Sequence, residues 1–183
     1  VVVRTAPFPG EIIEAADALK VIGRHGVGVD NIDVKAATEK GIVVVYTPNA
    51  NATSVAEHTI TAIGALAKRA VSYDRATREG RWEIRNSYKA VDLDGKILGL
   101  VGIGRIGSMV ARRAAAAYNM KVIAFDPYIR PETADRLGVS ILARMDDVFG
   151  QADVVSLHTP LTPETRGLVN EAKLRLMKPT SFL

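Results

Sequence analysis

Apolar positions along this chain follow two alternating rhythms. Short unbroken runs at residues 1–3, 21–23, 42–45, 97–101, 121–125 and 154–157 have the length and Val/Ile content of strands buried in a parallel sheet. Between them, residues 11–19, 33–40, 131–137, 146–150 and 170–177 carry apolar side chains at helical spacing. Asp33 supplies an N-cap for the second of these helices and Gly41 a stop. A longer helix starts at Ser54, which stands at capping-box spacing from Glu57, and runs through Ile60, Ile63 and Leu66. Residues 82–94, beginning at Trp82, read as a connecting loop, and residues 179–183 as a helix exit entering a further strand. Strand and helix in alternation predict an α/β fold, a parallel sheet covered by helices on both faces. The long helix divides the chain into a first lobe, residues 1–48, and a second, residues 49–183.

Composition narrows the functional classes. The 183 residues are 48% hydrophobic, enough for one domain or for one domain and part of another. No run has the length of a membrane span, and the N-terminal residues lack the charged start of a signal peptide. The chain begins inside a strand and ends on an unfinished element, and so reads as a piece of a longer polypeptide. Absence of cysteine removes disulfides, thiolate metal sites and cysteine nucleophiles, and fits a cytoplasmic enzyme. The net charge of +4 is mild and spread along the chain, with Arg112 and Arg113 on an outer helix face, so neither nucleic acid nor membrane is an expected partner. No metal site is expected.

Gly102, Gly104 and Gly107 carry the strongest chemical signal. Spaced glycines alone are common, but these follow the strand-like run 97–101 and open a segment in which Ile106, Met109, Val110 and Ala114 recur at helical spacing. In such a strand-turn-helix unit the first glycine permits the turn. The second admits a pyrophosphate to the backbone, and the third lets helix and strand pack closely. The diphosphate then sits on the helix N-terminus. The next strand ends at Asp126, placed to meet the adenosine ribose hydroxyls and to repel a ribose phosphate, which favours NAD over NADP. An acid there has no evident packing value. Arg130 lies close enough downstream to leave dual use open, and S-adenosylmethionine and FAD use the same kind of turn.

Several segments together resemble the D-2-hydroxyacid dehydrogenases, most closely the D-3-phosphoglycerate dehydrogenase branch. Residues 24–33 (Arg-His-Gly-Val-Gly-Val-Asp-Asn-Ile-Asp) are similar to that family's loop between lobes, and residues 41–45 to its following strand. Residues 47–49 with 54–58 resemble its interlobe helix, residues 102–107 its glycine motif, and residues 158–165 its later cofactor loop. The resemblance implies a Rossmann-type, doubly wound NAD-binding lobe plus part of a flavodoxin-like substrate lobe. It implies that Arg105 and Ile106 lie near the pyrophosphate, that Asp126 holds the ribose, that Thr159 and Pro160 line the adenine side and that Val27 approaches the nicotinamide. Gly26 and Gly28 suit a loop whose amides meet a substrate carboxylate. Arg4 and Arg24 resemble the arginines used toward a doubly anionic substrate.

Arg4 reads equally well as a surface cation, whereas Arg24 ends a strand just before a glycine-rich loop, where α/β sheets place ligands. Asp30 and Asn31 read as loop-holding residues. His25 stands where the family usually has a small residue, which leaves a reshaped pocket or a solvent-facing ring open. Hydride transfer to a 2-oxo acid needs a proton donor. His58 reads as structural, and His158 beside the cofactor loop as a helper at most. The family's catalytic arginine, glutamate and histidine fall beyond residue 183, so this chain carries no expected catalytic residue and is expected to bind without turnover. The implied function is NAD-dependent oxidation of 3-phosphoglycerate. Hydroxypyruvate or glyoxylate reduction is the rival within the class, and a non-catalytic NAD-sensing, corepressor-like module the rival outside it. A homodimer is expected through the long helix and the region of Trp82.

Overall fold

The computed structural model describes residues 1–87 and 89–183. The chain forms two compact units, Val1–Thr53 with Pro160–Leu168, and Ser54–Thr159 with Val169–Leu183.

The first unit holds three parallel strands in the order β1 (Val2–Val3), β2 (Val21–Arg24), β3 (Val43–Tyr46). Helices α1 (Gly10–Glu14) and α2 (Val34–Glu39) connect them. Ile13, Ile22, Ile32, Ala37 and Ile42 are buried together with Val3. Asp33 caps α2 as expected, its carboxylate accepting the Ala36 amide at 2.9 Å. Helix α1 is shorter than the expected 11–19. It ends at Glu14 because Lys40 donates through Nζ to the carbonyls of Ile13, Glu14 and Ala16. Acceptors that would have continued the helix are thereby satisfied by a side chain. Both helices pack on the Val3/Ile22 side, and Val2, Val21, Val43 and Val45 are exposed.

The second unit opens with α3 (Ala52–Ala67) and α4 (Ala70–Arg78), then a 3-10 segment, Trp82–Ser87. Helix α3 starts before Ser54, so Ser54 lies inside it and the capping box with Glu57 does not form. Glu57 instead pairs with Arg113 at 3.6 Å. The long helix stops where Arg69 adopts a left-handed φ of 51°, and α4 was not expected from the apolar pattern. Its sequence is dominated by i,i+4 charge pairs, Asp74 with Arg78 and Arg75 with Glu79. The expected loop 82–94 is therefore partly helical, and residue 88 lies outside the described residues.

A four-stranded parallel sheet follows: β4 (Ile97–Val101), β5 (Lys121–Phe125), β6 (Ser140–Ile141) and β7 (Val154–Leu157), in the order β6-β5-β4-β7. Helices α5 (Arg105–Tyr118), α6 (Pro131–Leu137), α7 (Met145–Gln151) and α8 (Glu171–Leu176) accompany it. Strand β6 was not expected, because its two residues are exposed and carry no apolar run. Central β4 is buried on both faces, which is why residues 97–101 read as continuous apolar sequence. Leu98 and Leu100 join a core with Ala56 and Ile63 of α3 and Val110 and Ala114 of α5. On the other face Gly99 admits α7, since a Cβ there would lie 2.7 Å from both Ala152 Cβ and Val148 Cγ1. Phe182 pairs with Val154 beyond α8, as the expected exit toward a strand required.

Candidate dinucleotide site

In the second unit the strand order reverses direction of growth between β4 and β7. Doubly wound sheets bind ligands at that switch point, outside the carboxyl ends of the strands. The three glycines lie there and are glycines for three different reasons. Gly102 has φ +87°, and a Cβ would meet the His158 carbonyl oxygen at 2.8 Å. Gly107, buried in the first turn of α5, would press a Cβ into the Gly102 carbonyl. Gly104 is the N-cap of α5, with an ordinary φ of −66°, and a Cβ on it would point into open space. Among the described residues none crowds Gly104, so its backbone is open to the approach of a ligand.

Arg105 and Ile106 open α5, and Arg105 is exposed. Amides at the start of this 14-residue helix have no intrahelical acceptors and concentrate positive potential, which suits a diphosphate. Asp126, just past β5, is not idle in packing, contrary to expectation. Its Oδ2 accepts the Ile103 amide at 2.9 Å and its Oδ1 the Tyr128 amide at 2.8 Å. The carboxylate clamps the glycine turn to the β5 exit and keeps further lone pairs for a ribose hydroxyl. Thr159 Cγ2 lies against Gly102, whereas Pro160 belongs to the segment grouped with the first unit. Two residues that the sequence did not single out brace the turn. Ser108 donates through Oγ to the Ile103 carbonyl at 2.8 Å, and Ser156 Oγ bonds His158 Nε2 at 3.0 Å. A hydroxyl one turn into a helix gives little signal in a sequence. Burial holds the His158 imidazole below the usual histidine range, so it is neutral at pH 7. His58 is exposed on α3, so it fills no core.

The remaining expected residues lie in the first unit, at the carboxyl ends of its strands. Arg24 ends β2, pairing in register with Val3 on one side and Tyr46 on the other, and Arg4 follows β1. Arg24 folds over Gly26, whose φ of +148° and missing Cβ make room for the guanidinium. Its Nη1 donates to the His25 carbonyl, while Nε is buried without a partner. The Gly26 amide, expected to face a substrate, already donates to Thr47 Oγ1 at 3.0 Å. Asn31 holds the loop as expected, donating through Nδ2 to the Ala6 carbonyl at 2.8 Å. His25, Val27 and Gly28 are exposed. Among the described residues no cluster of acidic and histidine side chains could hold a metal ion, and no helix is long and apolar enough to cross a membrane.

A parallel sheet ordered β6-β5-β4-β7, a glycine turn entering a helix and an acid at the next strand end define a Rossmann-type domain for NAD. Residues 60–183 match the model of the D-isomer specific 2-hydroxyacid dehydrogenase NAD binding domain, and the chain belongs to that family. It is 44% identical over 173 residues to a D-3-phosphoglycerate dehydrogenase of Methanocaldococcus jannaschii, covering 94% of this chain and 33% of the relative. A protein of the same name from Sus scrofa is 42% identical, with 97% of this chain and 33% of the relative covered. Among solved structures, a D-lactate dehydrogenase of Aquifex aeolicus complexed with NAD and lactic acid superimposes with a TM-score of 0.89 at 33% identity. That match covers 97% of this chain and 53% of the other. A Granulicella formate dehydrogenase gives 0.91 at 32% identity, covering 97% and 48%. The chain thus spans about a third of the length of the curated relatives it matches.

Proposed function

We propose that this chain supplies the NAD site and part of the substrate site of an oxidoreductase acting on the CH–OH group of a D-2-hydroxy acid, with 3-phosphoglycerate as substrate and 3-phosphohydroxypyruvate as product. The observation that carries the cofactor half is the glycine turn at the head of α5, with Gly102 and Gly107 packed on backbone and Gly104 left open to an approaching ligand. The bound nicotinamide would accept the hydride from the substrate carbon. The chain's own residues bind and orient: the α5 N-terminus and Arg105 at the diphosphate, Asp126 at the ribose, and Thr159 and Pro160 at the adenine side. In the first unit, Val27 is assigned to the nicotinamide by the family resemblance alone. Gly28 and Gly26 shape the substrate loop.

The substrate half rests on charge. Arg4 and Arg24 follow or end neighbouring strands, and two guanidinium groups match a phosphate and a carboxylate. Arg24 also carries a buried Nε that lacks an acceptor, which an anion drawn to this loop would supply. Relatives named D-3-phosphoglycerate dehydrogenase favour the same substrate over glyoxylate or hydroxypyruvate.

The test is calorimetric titration. NAD binds more tightly than NADP, and in saturating NAD 3-phosphoglycerate binds more tightly than glyoxylate. Arg4→Met combined with Arg24→Met removes the preference for the phosphorylated acid and leaves NAD affinity unchanged. Equal affinity for both acids in the native chain would overturn the substrate assignment.

The protein acts as a homodimer in this reading. Leu66, Val71 and Trp82 leave apolar side chains exposed on and after α3, with Val71 79% exposed, and such side chains suit an isologous contact.

A further inference from the structure

We propose that Ser156 and His158 form a brace of the dinucleotide site, in which the serine hydroxyl tethers the imidazole through Nε2 and thereby sets the position of the glycine turn. The proposal rests on the reading of Gly102–Gly107 as the NAD site and adds positioning residues to it.

The brace is built from β7 and its exit. Residues two apart on a strand share a face, so Ser156 and His158 project to the same side, and their 3.0 Å bond joins Oγ to Nε2. His158 prolongs the β7–β4 pairing, its amide donating to the Val101 carbonyl at 2.8 Å. One residue past the end of β4 is Gly102. A Cβ there would stand 2.8 Å from the His158 carbonyl oxygen and 2.9 Å from its carbonyl carbon. Behind Gly102 comes Gly107, whose own Cβ position is filled by the Gly102 carbonyl and lies 3.7 Å from His158 Cβ. Three backbone layers are therefore stacked closely: the 158 peptide, the turn, and the first turn of α5.

Close packing without slack passes displacement from layer to layer. Whatever fixes the 158 peptide fixes the amides that receive the diphosphate, and those donors act only within a few tenths of an ångström of the right place. The ring of His158 is the handle on that peptide. It is largely withdrawn from water, and burial keeps it uncharged. The Ser156 hydroxyl can donate to Nε2 or accept from it, so it holds the ring in place whichever nitrogen carries the proton. Without Ser156 the ring loses that polar tether.

The experiment uses the whole chain and NAD itself. Titration calorimetry is run on the native protein, Ser156→Ala, Ser156→Thr and His158→Ala, with circular dichroism as the check on folding. Ser156→Ala lowers NAD affinity about threefold to tenfold, in line with one lost hydrogen bond. Ser156→Thr restores it, and adding Ser156→Ala to His158→Ala costs nothing more, because the two side chains act as one unit. Imidazole 15N shifts give a readout that a merely structural strand residue would leave unmoved: the His158 Nε2 resonance of the native protein moves in Ser156→Ala and returns in Ser156→Thr. Native NAD affinity in a folded Ser156→Ala, or an Nε2 resonance that Ser156→Ala leaves in place, would overturn the brace alone. Failure of the native chain to bind NAD would overturn the dinucleotide reading and the brace with it.

Discussion

Gly104 and Gly107 sit three positions apart in one turn, yet a methyl group added to each should do different things. At Gly107 it collides with backbone, which cannot move aside as a side chain could. Gly107→Ala should lose about 2–3 kcal/mol of stability, read by urea unfolding, together with NAD binding. At Gly104 φ is −66°, ψ of −152° lies just outside the ordinary extended range, and nothing lies within 4 Å of an added Cβ. Gly104→Ala should therefore lose less stability than Gly107→Ala, while NAD affinity drops at least tenfold. If Gly104→Ala bound NAD normally, the glycine would not mark the approach of a ligand. Asp126 shows the converse lesson. The sequence offered it only to a ribose, but the fold gives its two oxygens backbone amides to hold, so ligand and loop share one carboxylate.

Elements end where they do because of distant side chains. Lys40 reaches three carbonyls around the end of α1, so Lys40→Met should cost about 1–2 kcal/mol of stability, measured by denaturant unfolding. Asp153 plays the matching part in the second unit. Its Oδ2 accepts the Ile97 amide at the start of β4 at 2.8 Å, and its Oδ1 accepts Lys178 Nζ at 2.9 Å. Burial raises its pKa, but the Ile97 amide and Lys178 outweigh that and hold it below the ordinary aspartate value. The unfolded chain then binds the more protons in mild acid. The stabilisation is complete above the ordinary aspartate pKa of about 4 and is lost as pH falls through the lower folded value. Asp153→Asn should lower stability at pH 7 by about 1–2 kcal/mol and flatten its acid dependence, which urea unfolding at pH 7 and at pH 3 would detect. None of these partners is near in sequence. That is why α1 was read too long, while α6, which carries its own proline start and Gly138 stop, was read correctly as 131–137.

For the whole molecule, the apolar side chains exposed on and around α4 bear on the proposed dimer. Val71→Asp places a charge among them and should shift sedimentation from dimer to monomer, with far-UV dichroism unchanged. A native chain that sediments as a monomer at high concentration would remove the dimer from the proposed function. The division into units also falls at Thr53/Ser54 and gathers Pro160–Leu168 with the N-terminal residues. A segment so remote in sequence has no local signal of where it belongs.

What the sequence by itself determined was whatever depends on neighbours along the chain. The period of apolar residues set strand or helix, the Asp33 cap and Gly138 stop set helix ends, and glycine spacing between a strand and a helix marked the NAD turn. What only the tertiary structure decided was whatever depends on the residues that arrive from elsewhere. These include the Lys40 contacts that shorten α1, the α7 side chains that require Gly99, and the His158 peptide that fills the Cβ position of Gly102. The Ile103 amide that engages Asp126 belongs with them. The physical reason is the same in each case: backbone conformation is chosen locally by sterics and hydrogen bonds, but a polar group's final partner is chosen by which surface packs against it.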